Sequence, residues 1–193
     1  MKKKVLIILG HPDKTSLCGA LAASYREGAQ EAGVEIREIF LGDLRFDPVL
    51  RRGYKEIQEL EPDLLTAQES IKWADHLVWV YPIWWGTMPA LLKGFLDRTL
   101  LPGFAFKYRE NSPWWDKYLT GKSGRMIMTL DAPVLYDWLI YGAGGRKTMK
   151  KAVLEFCGVK PVRVTAFGQA KSSDDAKRQK WLTKVNELGK QLI

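Results

Sequence analysis

Apolar and polar positions along this chain switch repeatedly between strand and helix periodicity. Val5–Leu9 is an unbroken apolar run, the pattern of a strand buried on both faces. Ser16 then offers an N-cap, Leu17, Leu21, Ala22 and Tyr25 recur at helical spacing, and Gly33 stops the helix. Val34–Phe40 predicts a second strand. Gly42 to Gly53 reads as a loop, followed by a helical stretch that breaks at Pro62, and Asp63 caps a better helix through Trp73. His76–Tyr81 is rich in β-branched and aromatic residues and predicts a third strand, which Pro82 ends. Pro89 opens a helix at its first turn. Arg125–Leu130 and Val162–Phe167 predict the fourth and fifth strands, with a helix over Lys147–Phe156 between them, and Asp174–Leu192 closes the chain as a helix.

Strand and helix in strict alternation predict a parallel sheet with helices on both faces. Five strands at this length suit a single α/β domain over 1–193, a flavodoxin-like three-layer sandwich with a five-stranded parallel sheet of order 2-1-3-4-5. No repeat, low-complexity tract or linker divides it. In such a sheet the ligand lies beyond the carboxyl ends of the strands, beside the switch point between strands 1 and 3. That rule selects three segments, Gly10–Ser16, Pro82–Met88 and Asp131–Tyr136.

Composition narrows the chemistry. The net charge of +8 is uneven: residues 1–142 hold 18 basic and 18 acidic side chains, whereas residues 143–193 hold 12 and 4. Much of the excess sits at helical spacing (Lys147, Lys150, Lys151; Lys177, Lys180, Lys184), which reads as a solvated helix face or a field for an anionic ligand. No nucleic-acid motif accompanies it. Two cysteines and two histidines are too few for a Cys/His zinc cluster. No apolar run approaches the ~20 residues of a membrane span. The start resembles a leader, but its apolar core is short and His11-Pro12-Asp13 stands where a small-residue cleavage site belongs, so the cytoplasm is the expected location.

The first segment, Gly10-His11-Pro12-Asp13-Lys14-Thr15-Ser16, runs straight into a helix, and its hydroxyls and unpaired N–H groups suit an anion. It is not a Walker loop; Gly121-Lys122-Ser123 ends like one but has Asp116 where the first glycine belongs. The second segment carries Trp84 and Trp85 side by side, and a flat aromatic ligand lying against them explains the pair. Gly86 lets backbone approach a ring edge. A flavin satisfies both segments, phosphate on the first and isoalloxazine on the second.

These residues resemble the NAD(P)H:quinone oxidoreductase family. Gly10-His11-Pro12 with Thr15-Ser16 is similar to its phosphate motif. Pro82-Ile83-Trp84-Trp85 followed by Pro89-Ala90-Leu91-Leu92-Lys93-Gly94-Phe95-Leu96-Asp97-Arg98 is similar to its flavin-loop and helix motif. Gly103–Tyr108 and the turn Phe156-Cys157-Gly158 extend the likeness. The resemblance implies that His11, Thr15, Ser16, Leu17 and Cys18 hold the flavin phosphates and ribityl chain. Pro82, Ile83, Trp84, Trp85 and Gly86 contact the ring, and Thr129, Leu130, Asp131, Ala132 and Pro133 meet its pyrimidine side. Cys18 replaces a frequent Asn, and Thr129–Pro133 replaces a Thr-Thr-Gly-Gly run, which brings the Asp131 carboxylate near the ring. Tyr136 and Tyr141 are the hydroxyls available as donors there. Between Pro102 and Tyr118, six of 17 residues are aromatic, which suggests an interface, a substrate wall or a folded-back flap; the resemblance implies a homodimer with the flavin at the subunit boundary, which this segment would supply.

The resulting expectation is an FMN- or FAD-dependent enzyme, FAD slightly favoured, passing hydride from NAD(P)H to a quinone-like acceptor in ping-pong fashion. The alternative is a flavin-binding regulatory or docking module with little turnover. Cys157-x5-Arg163 has the spacing of a phosphatase loop, but it leads from helix to strand, the reverse of what thiolate activation needs, and Cys157 is expected to be buried and inert.

Overall fold

The computed structural model describes residues 2–192. Five parallel strands form the central sheet: β1 (Lys4–Leu9), β2 (Glu35–Phe40), β3 (His76–Pro82), β6 (Ser123–Thr129) and β7 (Val162–Phe167), in the order β2-β1-β3-β6-β7. The five-stranded parallel sheet is the expected one. The numbering departs from 2-1-3-4-5 because two short strands intervene, β4 (Phe106–Tyr108) and β5 (Trp115–Lys117), paired antiparallel in a separate hairpin. Pro82 does not end β3 early but stands opposite Thr129 as its last residue.

Helices α1 (Leu17–Glu31) and α6 (Asp175–Gln191) cover one face. Both start on side-chain caps: Ser16 Oγ accepts from the Gly19 N–H, and Asp174 from the Lys177 N–H at 2.7 Å. α2 (Pro62–Trp73) and α3 (Ala90–Thr99) cover the other face, joined by the π-helical run Thr148–Glu155 that continues α5 (Gly144–Lys147). β3 is buried along its whole length, as the central strand of a two-sided core must be.

The expected helical stretch before Pro62 is absent, and Asp63 is not the cap. Residues 44–61 are irregular; α2 begins with Pro62 in its first turn and Glu61 at the N-cap position. A fully buried Arg98 explains the irregular run. It donates to the Asp47 and Glu59 carbonyls and pairs with the Glu61 carboxylate at 2.9 Å, fixing groups that a helix would have turned elsewhere. A short helix α4 (Val134–Ile140) was not anticipated. It follows β6 and exposes Leu135, Trp138, Leu139 and Ile140.

Candidate functional site

The loops after β1, β3 and β6 come together at the carboxyl end of the sheet, where two adjoining cavities share Ile83, Trp84, Leu130 and Asp131. The first, about 300 Å³, is walled by His11, Ser16, Leu17 and Cys18, by Pro82, Ile83 and Trp84, by Thr129, Leu130 and Asp131, and by Ala170 and Arg178. The second, about 560 Å³, is walled by Ile83–Gly86, Leu130–Ala132, Asp137 and Tyr141. Thr15, Pro133 and Tyr136 line neither cavity. Tyr136 instead packs edge-on against Tyr141 at 5.5 Å.

The polar cavity begins at the N-terminus of α1. Its loop is tightly self-bonded: Asp13 Oδ1 accepts both the N–H and the hydroxyl of Thr15 at 2.8 Å, and the Ser16 hydroxyl donates to the Asp13 carbonyl at 2.7 Å. The two Thr15 donors hold the Asp13 carboxyl below its ordinary range. Neither Thr15 nor Ser16 therefore has a hydroxyl hydrogen aimed into the cavity. The donors left are the N–H groups of Leu17 and Cys18, which in a first helical turn have no intrahelical carbonyl. His11 adds one more, because its Nδ1 accepts from the Asp13 N–H at 2.9 Å, which leaves Nε2 as the ring's donor nitrogen. A Cβ on Gly19 would lie 1.8 Å from the Lys14 carbonyl oxygen, so only glycine lets this loop fold back on α1.

Arg178 is the functional candidate that sequence reasoning missed. It sits in the first turns of α6, where its charge merged with a basic helix face. Its Nε donates to Ser173 Oγ at 2.9 Å, which orients the guanidinium beside the mouth of α1. The cavity thus has a helix N-terminus and a fixed cation at one end.

The other cavity is mostly apolar and aromatic, with Asp131 and Asp137 also on its wall. Trp84 and Thr87 exchange backbone hydrogen bonds at 2.8 and 3.0 Å, closing a tight turn in which Trp85 (φ 51°) and Gly86 (φ 73°) are both left-handed. Trp85 is fully exposed, whereas Trp84 is half-buried and lies edge-on to His11 at 5.4 Å. A bulky residue at positive φ with nothing against its ring is costly, and such strain gathers at ligand sites. Asp131 borders both cavities and accepts from the Lys171 N–H at 3.0 Å. Cys18 is buried against Thr129 Oγ1 at 3.3 Å, and burial pushes its thiol up to about 11. Cys157 is likewise buried, its thiol pushed up to about 11, as an inert cysteine should be.

The aromatic segment 102–118 packs in part on its own chain. Trp115 stacks on Phe156 at 4.4 Å and donates to its carbonyl at 2.9 Å, and Phe106 meets Phe156 edge-on. Tyr108, Trp114 and Tyr118 remain exposed.

Residues 3–192 match the family model of the flavodoxin-like fold. The chain belongs to that family. It is 29% identical over 181 residues to an uncharacterized NAD(P)H oxidoreductase of Haemophilus influenzae, covering 90% of this chain and 88% of the relative. It is 32% identical over 185 residues to the guinea pig (Cavia porcellus) NAD(P)H dehydrogenase [quinone] 1, covering 81% of this chain but only 65% of that longer protein. The crystal structure of Smu.1420 from Streptococcus mutans superposes with a TM-score of 0.81 at 30% identity, covering 97% of this chain and 99% of that one. The resemblance to the NAD(P)H:quinone oxidoreductases is thereby borne out.

Proposed function

We propose that this chain is a flavin-dependent NAD(P)H oxidoreductase that reduces a quinone-like acceptor. One observation carries the reading: a polar cavity with the free Leu17 and Cys18 N–H groups of the α1 N-terminus and Arg178 opens into an aromatic cavity floored by a strained Trp84–Thr87 turn. The residues fit a flavin mononucleotide unit. The first cavity has donors and a cation for a phosphate, and the second has apolar walls of ring size beside backbone that Gly86 leaves uncovered. That unit is common to FMN and FAD, and the expectation of FAD over FMN gains no support from these two cavities.

Bound flavin would accept hydride from NAD(P)H and later deliver it to the acceptor. The chain's own groups bind and orient. Leu17, Cys18, His11 and Arg178 hold the phosphate end, with Thr15 and Ser16 shaping the loop through Asp13. Pro82–Gly86 support one side of the ring, and Leu130, Asp131 and Ala132 border its pyrimidine side. Tyr141 supplies a hydroxyl at the second cavity, while Tyr136 backs Tyr141 rather than facing the ring. No protein acid or base is required.

The same reading places the exposed Tyr108, Trp114 and Tyr118 against a second copy in a homodimer. It also places the protein in the cytoplasm, which two unpaired buried cysteines suit. No helix among the described residues is long and apolar enough to cross a membrane.

Steady-state oxidation of NAD(P)H with a water-soluble quinone tests the proposal. Parallel double-reciprocal lines are expected, because donor and acceptor use one place in turn. A rate no better than free flavin would assign the chain to the docking-module alternative instead.

A further inference from the structure

A third cavity, about 220 Å³, lies at the opposite pole, among the amino ends of the strands, bounded by Lys3, His76, Ser123, Pro161, Arg163 and Leu192. Its size is below that of sites for drug-sized ligands, so an occupant has few heavy atoms. The charged side chains that line it, Lys3 and Arg163, are both cationic.

A third cation stands behind them. Arg125 is in register with Arg163 and, two residues along β6 from Ser123, shares its sheet face. It is 3% exposed; it donates to Thr165 Oγ1 at 2.9 Å, and its Nε has no acceptor. Among the described residues no ion pair includes Lys3, Arg125 or Arg163, and Lys3 Nζ meets only a neutral acceptor, the Leu192 carbonyl at 3.5 Å. Asp75, a carboxylate at this pole, accepts from the Lys4 N–H at 2.9 Å and acts on Lys122. Gathering three like charges, one of them buried, is unfavourable unless an anion joins them.

The polar groups between them form a hydrogen-bonded chain. His76 Nε2 lies 3.2 Å from Tyr25 Oη and Nδ1 lies 2.7 Å from Ser123 Oγ. Burial, with Lys3 and Arg125 nearby, keeps the imidazole neutral, its pKa pushed down to about 3. The tautomer protonated on Nδ1 donates to Ser123 and accepts from Tyr25, and an anion in the cavity would select it, because it alone leaves the Ser123 hydroxyl hydrogen free.

We propose that this basal cavity binds a small multivalent oxyanion, a phosphate or the phosphate group of a small metabolite, held by Lys3 and Arg163 with Ser123 donating and Arg125 adding charge from beneath. The site is separate from the flavin cavity and independent of the reading given to it.

Calorimetric titration with inorganic phosphate, at constant ionic strength maintained with chloride, tests this in four proteins. Wild type should bind; Arg178→Ala, which alters only the flavin cavity, should still bind; Lys3→Ala/Arg163→Ala should bind at least about tenfold more weakly. Arg163→Glu, at an exposed position, repeats the loss by charge reversal should the double variant be unstable. A parallel titration with glycerol phosphate separates the sources: comparable binding assigns a phosphorylated metabolite, and binding of phosphate alone assigns the free ion. Absence of binding in wild type would overturn the site. So would binding that Arg178→Ala abolishes, or binding that Lys3→Ala/Arg163→Ala and Arg163→Glu leave unchanged.

Discussion

A Cβ on Gly145 would lie 2.4 Å from the Gly86 carbonyl oxygen and 2.7 Å from Thr87 Cα. The start of α5 therefore packs directly on the turn that floors the aromatic cavity, and only glycine permits that approach. Gly145→Ala must push the turn toward the cavity or α5 away from it. We expect flavin affinity to fall by about tenfold or more, measured by quenching of protein fluorescence on titration with FMN. Wild-type affinity would show that the turn does not position the ring.

The two tryptophans should separate in a way their adjacency in sequence does not suggest. Trp85 stands at φ 51° with a fully exposed ring, so Trp85→Gly relieves backbone strain and should stabilise the flavin-free protein by about 1 kcal/mol. The same change should weaken flavin binding. Trp84 is half-buried and shared by both cavities, so Trp84→Ala should lose both stability and affinity. Thermal melts with and without flavin report both quantities.

At the phosphate end, Arg178→Ala should weaken flavin binding by roughly 10–100-fold, the value of a charge-assisted hydrogen bond. Thr15→Ala should act mainly through the loop, because both Thr15 donors face Asp13. Ser16→Ala should cost about 1 kcal/mol of folding stability as a lost cap, equally with and without flavin. Larger losses of affinity at Thr15 than at Arg178 would reverse this assignment.

His76 gives the fold a defined acid sensitivity. Its folded pKa, about 3, lies below the unfolded value near 6.5, so the unfolded chain binds the proton that the folded chain refuses. Its contribution to stability is complete above about pH 6.5 and declines as pH falls toward 3, at up to about 1.4 kcal/mol per pH unit. His76→Gln should remove that slope from denaturant unfolding curves taken between pH 6.5 and 4. An unchanged slope would mean that other groups control acid unfolding.

The strands and the position of the site were legible because they rest on strong local signals. Val5–Leu9 and His76–Tyr81 have no solvent face, and the switch-point rule then selects the loops that follow them. Val134–Ile140 was not legible as a helix, because six of its seven residues are apolar or aromatic and no polar face sets a helical period. Nor was the irregular course of residues 44–61, which answers to Arg98, a residue far along the chain. Arg178 escaped notice for a related reason: charge counting cannot distinguish a solvated cation from one that Ser173 aims into a cavity.

The most direct test loads the purified protein with FMN or FAD, removes excess flavin, and titrates NAD(P)H without oxygen while following visible absorbance. The account predicts that flavin is retained, that stoichiometric NAD(P)H bleaches it, and that a quinone restores the colour. A chain that retains neither flavin, or retains one that NAD(P)H does not bleach, would contradict it.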